Sequence, residues 1–394
     1  MTTTRPSAAL PPLVAPATGL DPDEIDRYSR HILLPEIGEI GQRRLKNARV
    51  LVIGAGGLGS PILLYLAAAG VGTLGIMDDD RVEASNLQRQ TVHGVADIGR
   101  LKVDSARDAL GAINPLVHVR AHPVRLTATT AVALFEEYDL IIDGADNFAT
   151  RYLVSDAAAI TGKPCVWGSI LRFEAQVSVF WSTHGPTYRD LYPDAPPPDD
   201  APSCGEAGVL GALCGVAGSM MAAEAIKLIT GAGRPLLGRL SLFDVANATW
   251  RELIVRSDAS RPPVTVLDGL PELCGLDAGA TSPAAVITVD ELTESLRERS
   301  AGRAVFELLD VREPDEYAAG HISGSRSAPL SGIRSEGPRA LHLPGERPVI
   351  VYCKAGPRAR AAAELLLAAG HADVRVLSGG YVRWSSKHRS NRVG

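Results

Sequence analysis

Residues 49–80 read RVLVIGAGGLGSPILLYLAAAGVGTLGIMDDD, and the order of residue types in this stretch decides the fold. A short apolar run stops at Gly54. Gly54, Gly56 and Gly59 then form a G-x-G-x-x-G as a helix-forming stretch begins, and a second apolar run, TLGIM, leads to Asp78. Glycines at such a turn let the backbone approach a phosphate, the helix N-terminus supplies N–H donors, and an acid after the second strand accepts ribose hydroxyls. The pattern predicts a βαβ nucleotide-binding unit. It says little about which nucleotide, and alone it favours a nicotinamide or flavin enzyme.

Working outward, strands and helices keep alternating through DLIIDGADN (139–147) and KPCVWGSI (163–170), as a doubly wound α/β sheet requires. A proline-rich loop, LYPDAPPPDDAPSCGEAG (191–208), leads to an apolar helix expected over 209–230, and a strand, GRLSLFDV, follows. Pro, Gly, Ser and Ala dominate 258–285, which reads as a linker. A second, smaller α/β pattern then runs through ITVDELTESL, VFELLDVRE, PVIVYCKAG and DVRVLSGG. The expected organisation is a disordered tail over 1–19, a nucleotide domain over 20–257, a linker over 258–285 and a small domain over 286–394. A chain of 394 residues is too long for one ordinary core, which agrees with two domains.

Composition narrows the function classes. Hydrophobic residues make up 45% and charged residues 22%, values of a soluble globular protein. A net charge of −5 gives no global reason to bind nucleic acid or an anionic membrane. The N-terminal stretch lacks the basic start and apolar core of a signal peptide. The uncharged stretch 207–223 is rich in Gly and Ala and slightly short for a span, so a buried or subunit-contacting helix is expected there. The five cysteines, Cys165, Cys204, Cys214, Cys274 and Cys353, form no C-x-x-C. Neither a disulfide framework nor a metal knuckle is signalled, and a reducing, cytoplasmic setting is expected.

Several polar residues are foreign to a dehydrogenase. DDDRVEASNLQRQ carries Asn86 and Arg89, IGRLKVDSAR carries Lys102, and DGADNFATR places Asp146 and Asn147 at the end of a strand. Two cations and a carboxylate around a nucleotide suit phosphate chemistry, in which Arg and Lys neutralise oxygens and the carboxylate holds Mg²⁺. Hydride transfer has no use for them.

The string RYSRHILLPEIGEIGQRRLKNARVLVIGAGGLGSP, with MDDDRVEASNLQRQ, GRLKVDSAR and DGADN, closely resembles the adenylyltransferases that activate ubiquitin-like sulfur carrier proteins, over about residues 20–257. LLDVREPDEYAAGHISGS with YCKAGPRA resembles a rhodanese sulfurtransferase domain, over about 286–390. Both in one chain resemble the MoeZ-like fusion family.

The resemblance implies a Rossmann-like adenylating domain with a mostly parallel sheet, and a small α/β rhodanese-like domain. It implies ATP and Mg²⁺ as cofactors, and as partner a carrier ending in Gly-Gly whose carboxylate is adenylated and then converted to a thiocarboxylate. The pathway would be molybdenum cofactor synthesis or a related sulfur insertion, with a cysteine desulfurase or thiosulfate as sulfur donor. Gly54, Gly56, Gly57 and Gly59 would lie against the nucleotide, Asp78 would hold ribose, and Ser85, Asn86, Leu87 and Gln88 would belong to the nucleotide site. Asn86, Arg89 and Lys102 would surround the phosphates, Asp146 would hold Mg²⁺ with Asn147 beside it, and Arg30 would reach the site of the other subunit in a homodimer.

In the loop Cys353, Lys354, Ala355, Gly356, Pro357, Arg358, the resemblance makes Cys353 the persulfide carrier. Backbone N–H groups at a helix N-terminus, with Lys354 and Arg358 nearby, would stabilise its anion. Cys204 matches the family position that links covalently to the carrier, whereas Cys165 and Cys214 read as core. Many relatives bind zinc through two C-x-x-C pairs. Here the first place holds Thr187 and Asp190, and RSDASRPPV at the second has no cysteine, so no zinc is expected. The competing readings are a dinucleotide-dependent oxidoreductase and a non-catalytic scaffold that docks a carrier.

Overall fold

The computed structural model describes residues 10–194, 208–267, 284–344, 347–354 and 356–390, apart from the side chains of Pro357, Ser386, Arg389 and Ser390. The chain divides into two compact units, one before and one after the segment 268–283.

The first unit is built on an eight-stranded sheet of order β3-β2-β1-β4-β5-β6-β7-β8. The parallel strands are β1 (Arg49–Ile53), β2 (Thr73–Met77), β3 (His118–His122), β4 (Leu140–Asp143) and β5 (Cys165–Leu171). Strands β6 (Glu174–Phe180), β7 (Arg239–Asp244) and β8 (Thr249–Ile254) continue it antiparallel. The apolar runs of β1 and β4 are buried on both faces, as a doubly covered parallel sheet requires. Val50 and Val52 enter one core with the helices Gly59–Ala68, Lys102–Ile113 and Gly211–Thr230. Leu51 and Ile53 enter a second core with Ala128–Glu136 and Phe148–Thr161. Layering of this kind leaves the C-terminal ends of β1, β2 and β4 free to line a crevice.

The helix Gly211–Thr230 begins two residues later than its apolar stretch suggests. It is long and apolar enough to cross a membrane, yet it packs against the helix Gly59–Ala68 and β5, with Leu213, Cys214, Ala217 and Met221 buried. Residues 10–19, which composition reads as part of a disordered tail, instead form an ordered strap. Leu13 N–H donates to the Leu228 carbonyl at 3.0 Å, Ala17 N–H donates to the Arg43 carbonyl at 2.9 Å, and Arg43 Nε donates to the Ala17 carbonyl at 2.6 Å. Leu10, Leu13 and Val14 pack on the first core, and their burial offsets the cost of ordering the strap.

Where the zinc pairs of relatives are expected, a carboxylate joins the two segments. Asp190 accepts from Thr187 N–H at 2.7 Å and Thr187 Oγ1 at 3.0 Å, while its other oxygen accepts from Asp258 N–H at 2.9 Å.

The second unit is a five-stranded parallel sheet of order β11-β10-β12-β13-β9, comprising β9 (Ala285–Ile287), β10 (Glu307–Asp310), β11 (Arg326–Ser327), β12 (Val349–Tyr352) and β13 (Val374–Leu377). Leu309, Val351 and Ala362 centre one core; Leu292, Leu308 and Ile350 centre the other.

Candidate active site

The first unit's crevice opens at the C-terminal ends of β1, β2 and β4, and its wall includes Gly54, Gly56, Gly57, Asp78, Arg89, Lys102 and Asp146. Glycines make the turn possible. Gly54 has φ +90°, and a Cβ on Gly59 would lie 1.9 Å from the Gly54 carbonyl oxygen. Gly59 therefore closes the turn and starts the helix without facing the cavity. A Cβ on Gly57 would stand 2.9 Å from Cys214 Sγ, so the turn rests on the apolar helix and Cys214 serves packing.

Asp78 is fixed by the turn it serves. It accepts from Ala55 N–H at 2.8 Å and from Asp80 N–H at 2.9 Å. Burial pushes its carboxyl above the ordinary range, an effect opposed by Lys102 and these two N–H donors. Lys102 is buried at the start of the helix Lys102–Ile113, with Nζ 2.7 Å from Asp80 and 4.0 Å from Asp78. In this state its charge is held by the two acids.

Arg89 lines the wall and donates to the Ser85 carbonyl at 3.2 Å. Ser85, Asn86, Leu87 and Gln88 do not line the cavity. They form the turn that carries Arg89, in which Asn86 Oδ1 accepts from Glu83 N–H at 3.2 Å. Asn147 lines the crevice and caps the helix Phe148–Thr161, accepting from Thr150 N–H at 2.9 Å. Asp146 beside it is exposed and makes no hydrogen bond or ion pair among the described residues. An uncommitted carboxylate at a strand end fits a Mg²⁺ ligand. Arg30 is exposed on the short helix Ser29–Ile32 and is not part of this wall.

Four residues that charge and spacing did not single out line the cavity or lie just behind its wall. His93 is buried, its Nε2 3.0 Å from the Ala55 carbonyl and its Nδ1 2.8 Å from Ser105 Oγ. A carbonyl only accepts, so Nε2 carries the proton. Burial holds the ring's pKa below its usual value, and the neutral imidazole ties the glycine turn to the helix bearing Lys102. Gln90 is 4% exposed on the cavity wall, and its Oε1 has no partner among the described residues. Asp143, 1% exposed, accepts from Ala145 N–H at 3.0 Å, and burial pushes its carboxyl up to about 6. Arg151, on the wall, donates from Nε to the Ala145 carbonyl at 3.2 Å.

In the second unit Cys353 follows β12 and is fully buried, its Sγ accepting from Gly356 N–H at 3.0 Å just before the helix Pro357–Ala368. The sequence places Arg358 near this thiol. Its guanidinium is paired with Glu316 at 2.6 and 3.1 Å, and this holds the Glu316 carboxyl below its ordinary value. Tyr381 N–H donates to the Cys353 carbonyl at 2.8 Å and Val382 N–H to the Lys354 carbonyl at 3.1 Å, so the helix Gly380–Ser390 braces the loop. Ala355 and Cys204 lie outside the described residues, as does Cys274. Cys165 and Cys214 are buried core residues, and burial raises the Cys165 thiol far above its usual range.

With this geometry in place, the chain can be compared with known proteins. Residues 28–263 match the ThiF family, and 288–387 match the rhodanese-like domain. The chain belongs to the ThiF family, with a rhodanese-like domain at its C-terminal side. It is 52% identical to a probable adenylyltransferase/sulfurtransferase MoeZ of Mycobacterium tuberculosis, over 98% of this chain and 99% of that one. A sulfur carrier protein adenylyltransferase of Thermus thermophilus is 52% identical over 61% of this chain and 90% of its own length. Adenylyltransferase and sulfurtransferase MOCS3 of Anopheles gambiae is 41% identical over 86% of this chain and 80% of its own. Among solved structures, E. coli MccB with ATP superposes with a TM-score of 0.52 at 21% identity, covering 60% of this chain and 73% of that one, and shares the fold of the ThiF portion.

Proposed function

We propose that this ThiF-family chain adenylates the C-terminal glycine carboxylate of a ubiquitin-like sulfur carrier protein and then transfers sulfur to it. It is an enzyme with two activities, an adenylyltransferase and a sulfurtransferase. The observation that carries the reading is the grouping of Arg89, Lys102 and the uncommitted Asp146 around the glycine turn. A nicotinamide enzyme would have no use for these charges in that place.

A carboxylate is a poor electrophile, so adenylation supplies a leaving group. The carrier's carboxylate oxygen attacks the α-phosphorus of ATP, the bond to the bridging oxygen breaks, and pyrophosphate departs. Asp78 holds the ribose and the turn at Gly56 and Gly57 admits the phosphates. Arg89 and Lys102 neutralise charge that moves onto the leaving group. Asp146 is the residue that would hold Mg²⁺, which supplies further neutralisation of the phosphate oxygens. The outer sulfur of a Cys353 persulfide then attacks the acyl carbon and AMP leaves. A thiol reductant attacks the resulting disulfide at the Cys353 sulfur and frees the thiocarboxylate, and Cys204 is the candidate for a covalent link to the carrier. A further equivalent of the thiol reductant reopens the mixed disulfide at Cys353, and the free thiol then takes sulfane sulfur from a desulfurase persulfide or from thiosulfate, which leaves as sulfite.

Arg30 lies outside the cavity wall, so its assigned role requires a homodimer in which it completes the partner's site. Carrier-dependent ATP–pyrophosphate exchange tests both points. Asp146→Ala and Arg30→Ala should each abolish exchange, and mixed subunits should regain part of it, because each supplies what the other lacks. Full exchange by Asp146→Ala would remove the Mg²⁺ assignment. Absence of rescue in verified mixed dimers would remove the shared site.

A further inference from the structure

The sheet order lays out the crevice wall from one side to the other. Val124, Arg125 and Leu126 follow β3, Asp78 follows β2, the glycine turn follows β1, Asp146 follows β4, and Ile170 lies on β5. Ribose at Asp78 and phosphates at the glycine turn occupy the wall as far as Asp146. The β4–β5 end is left over, and Arg151 is the charged side chain of the wall there.

Arg151 is 6% exposed. Its Nε is tied to the Ala145 carbonyl, and its guanidinium lies 5.0 Å from the Phe148 ring centroid and 6.0 Å from that of Trp167. These contacts fix its orientation. Its two terminal nitrogens have no hydrogen-bond acceptor among the described residues. Asp143 and Asp146 are the neighbouring carboxylates, and neither forms an ion pair with it. Behind this wall the buried Trp167 Nε1 and Tyr188 hydroxyl also lack partners among the described residues. A guanidinium oriented in this way, on the cavity wall and with its terminal N–H groups not taken up by the described residues, is prepared to receive an oxyanion.

We propose that Arg151 receives the C-terminal carboxylate of the acceptor protein, fixing the attacking group on the opposite side of the glycine turn from the ribose acid. The inference rests on the adenylation reading above and adds to it the group that recognises the nucleophile. A guanidinium fork matches a carboxylate in two parallel hydrogen bonds, which orients the oxygens as well as attracting them. It gives the site a means of choosing a free terminus over an amide.

The test uses full-length enzyme, the non-hydrolysable analogue AMPCPP, and a Gly-Gly-terminated ubiquitin-like carrier made with either a C-terminal carboxylate or a carboxamide. Wild type should bind the carboxylate form about 10- to 100-fold more tightly than the amide. Arg151→Gln should lose that discrimination while its affinity for AMPCPP stays within about twofold, and Arg151→Lys should regain part of the discrimination. The retained AMPCPP affinity shows that the variant is folded. Should Arg151→Gln fail to bind AMPCPP, the Arg151→Lys variant decides, since weakened discrimination supports the assignment and unchanged discrimination opposes it. Unchanged discrimination in Arg151→Gln overturns the role of Arg151 alone. Wild type without carrier-dependent pyrophosphate exchange overturns the adenylation reading and this inference with it.

Discussion

At Asp143 and Arg151 one short string, DGADNFATR, supplies two buried charged residues and the exposed Asp146 between them. The acid at the strand end could be read from the sequence, because strand ends are where α/β sheets place ligands. Arg151 could not, since an arginine in the first turns of a helix is ordinarily solvated. Its burial arises only when the helix packs on Trp167 and Phe180. A available clue was its place five residues after Asp146 in the same string. His93 was hidden for a related reason: a neutral polar group reveals its work through its partners, and Ala55 and Ser105 are distant in sequence.

Asp143 also makes a prediction about stability. Its folded-state value of about 6 lies above the model-compound 3.8, so the folded protein binds this proton more tightly than the unfolded chain. The contribution is complete in acid and is lost as the pH rises through about 6. Asp143→Asn keeps an oxygen for Ala145 N–H and removes the titration. Relative to wild type, the variant should gain up to about 3 kcal/mol between acid and neutral pH. Urea titrations of both proteins across this range check it, and parallel curves would show that burial does not perturb this carboxyl.

Among elements, the strands of continuous apolar residues and the mixed RLSLFD and VRVL were legible, whereas β3 was not. RVLVI and TLGIM announce β1 and β2, but HVRAH gives no such signal for β3. Pairing with β2 in register from Thr73↔His118 to Met77↔His122 makes it a strand, a tertiary cause that a local reading misses. The strap at residues 10–19 escaped notice likewise, because its few leucines acquire a partner only from helices that come later in the chain. The segment around Asp190 shows the converse case, where the lack of cysteines is plain in the sequence but the carboxylate that holds the two segments together is not. With three donors on one carboxylate, Asp190→Ala should cost about 1–2 kcal/mol in urea unfolding. Chelator should change neither wild type nor variant. Loss of stability on chelation would instead mean that a metal joins these segments.

For the whole molecule, the two sites in one chain carry the central claim. The nucleotide crevice lies in the first unit and the Cys353 loop in the second, so each chemical step has its own residues. The sequence made the pair of domains and both motifs legible, since each motif is a compact string in a fixed order of strand, turn and helix. The Arg358–Glu316 pair was not legible, because the two residues are separated by 42 positions and meet only in the folded sheet. The direct test is the intact mass of a Gly-Gly-terminated carrier after incubation with the enzyme, ATP, Mg²⁺, thiosulfate and a thiol reductant. Wild type should replace one carboxylate oxygen of the carrier by sulfur. Cys353→Ala should leave the carrier unsulfurated while retaining pyrophosphate exchange, and sulfuration by Cys353→Ala, or none by wild type, would contradict the account.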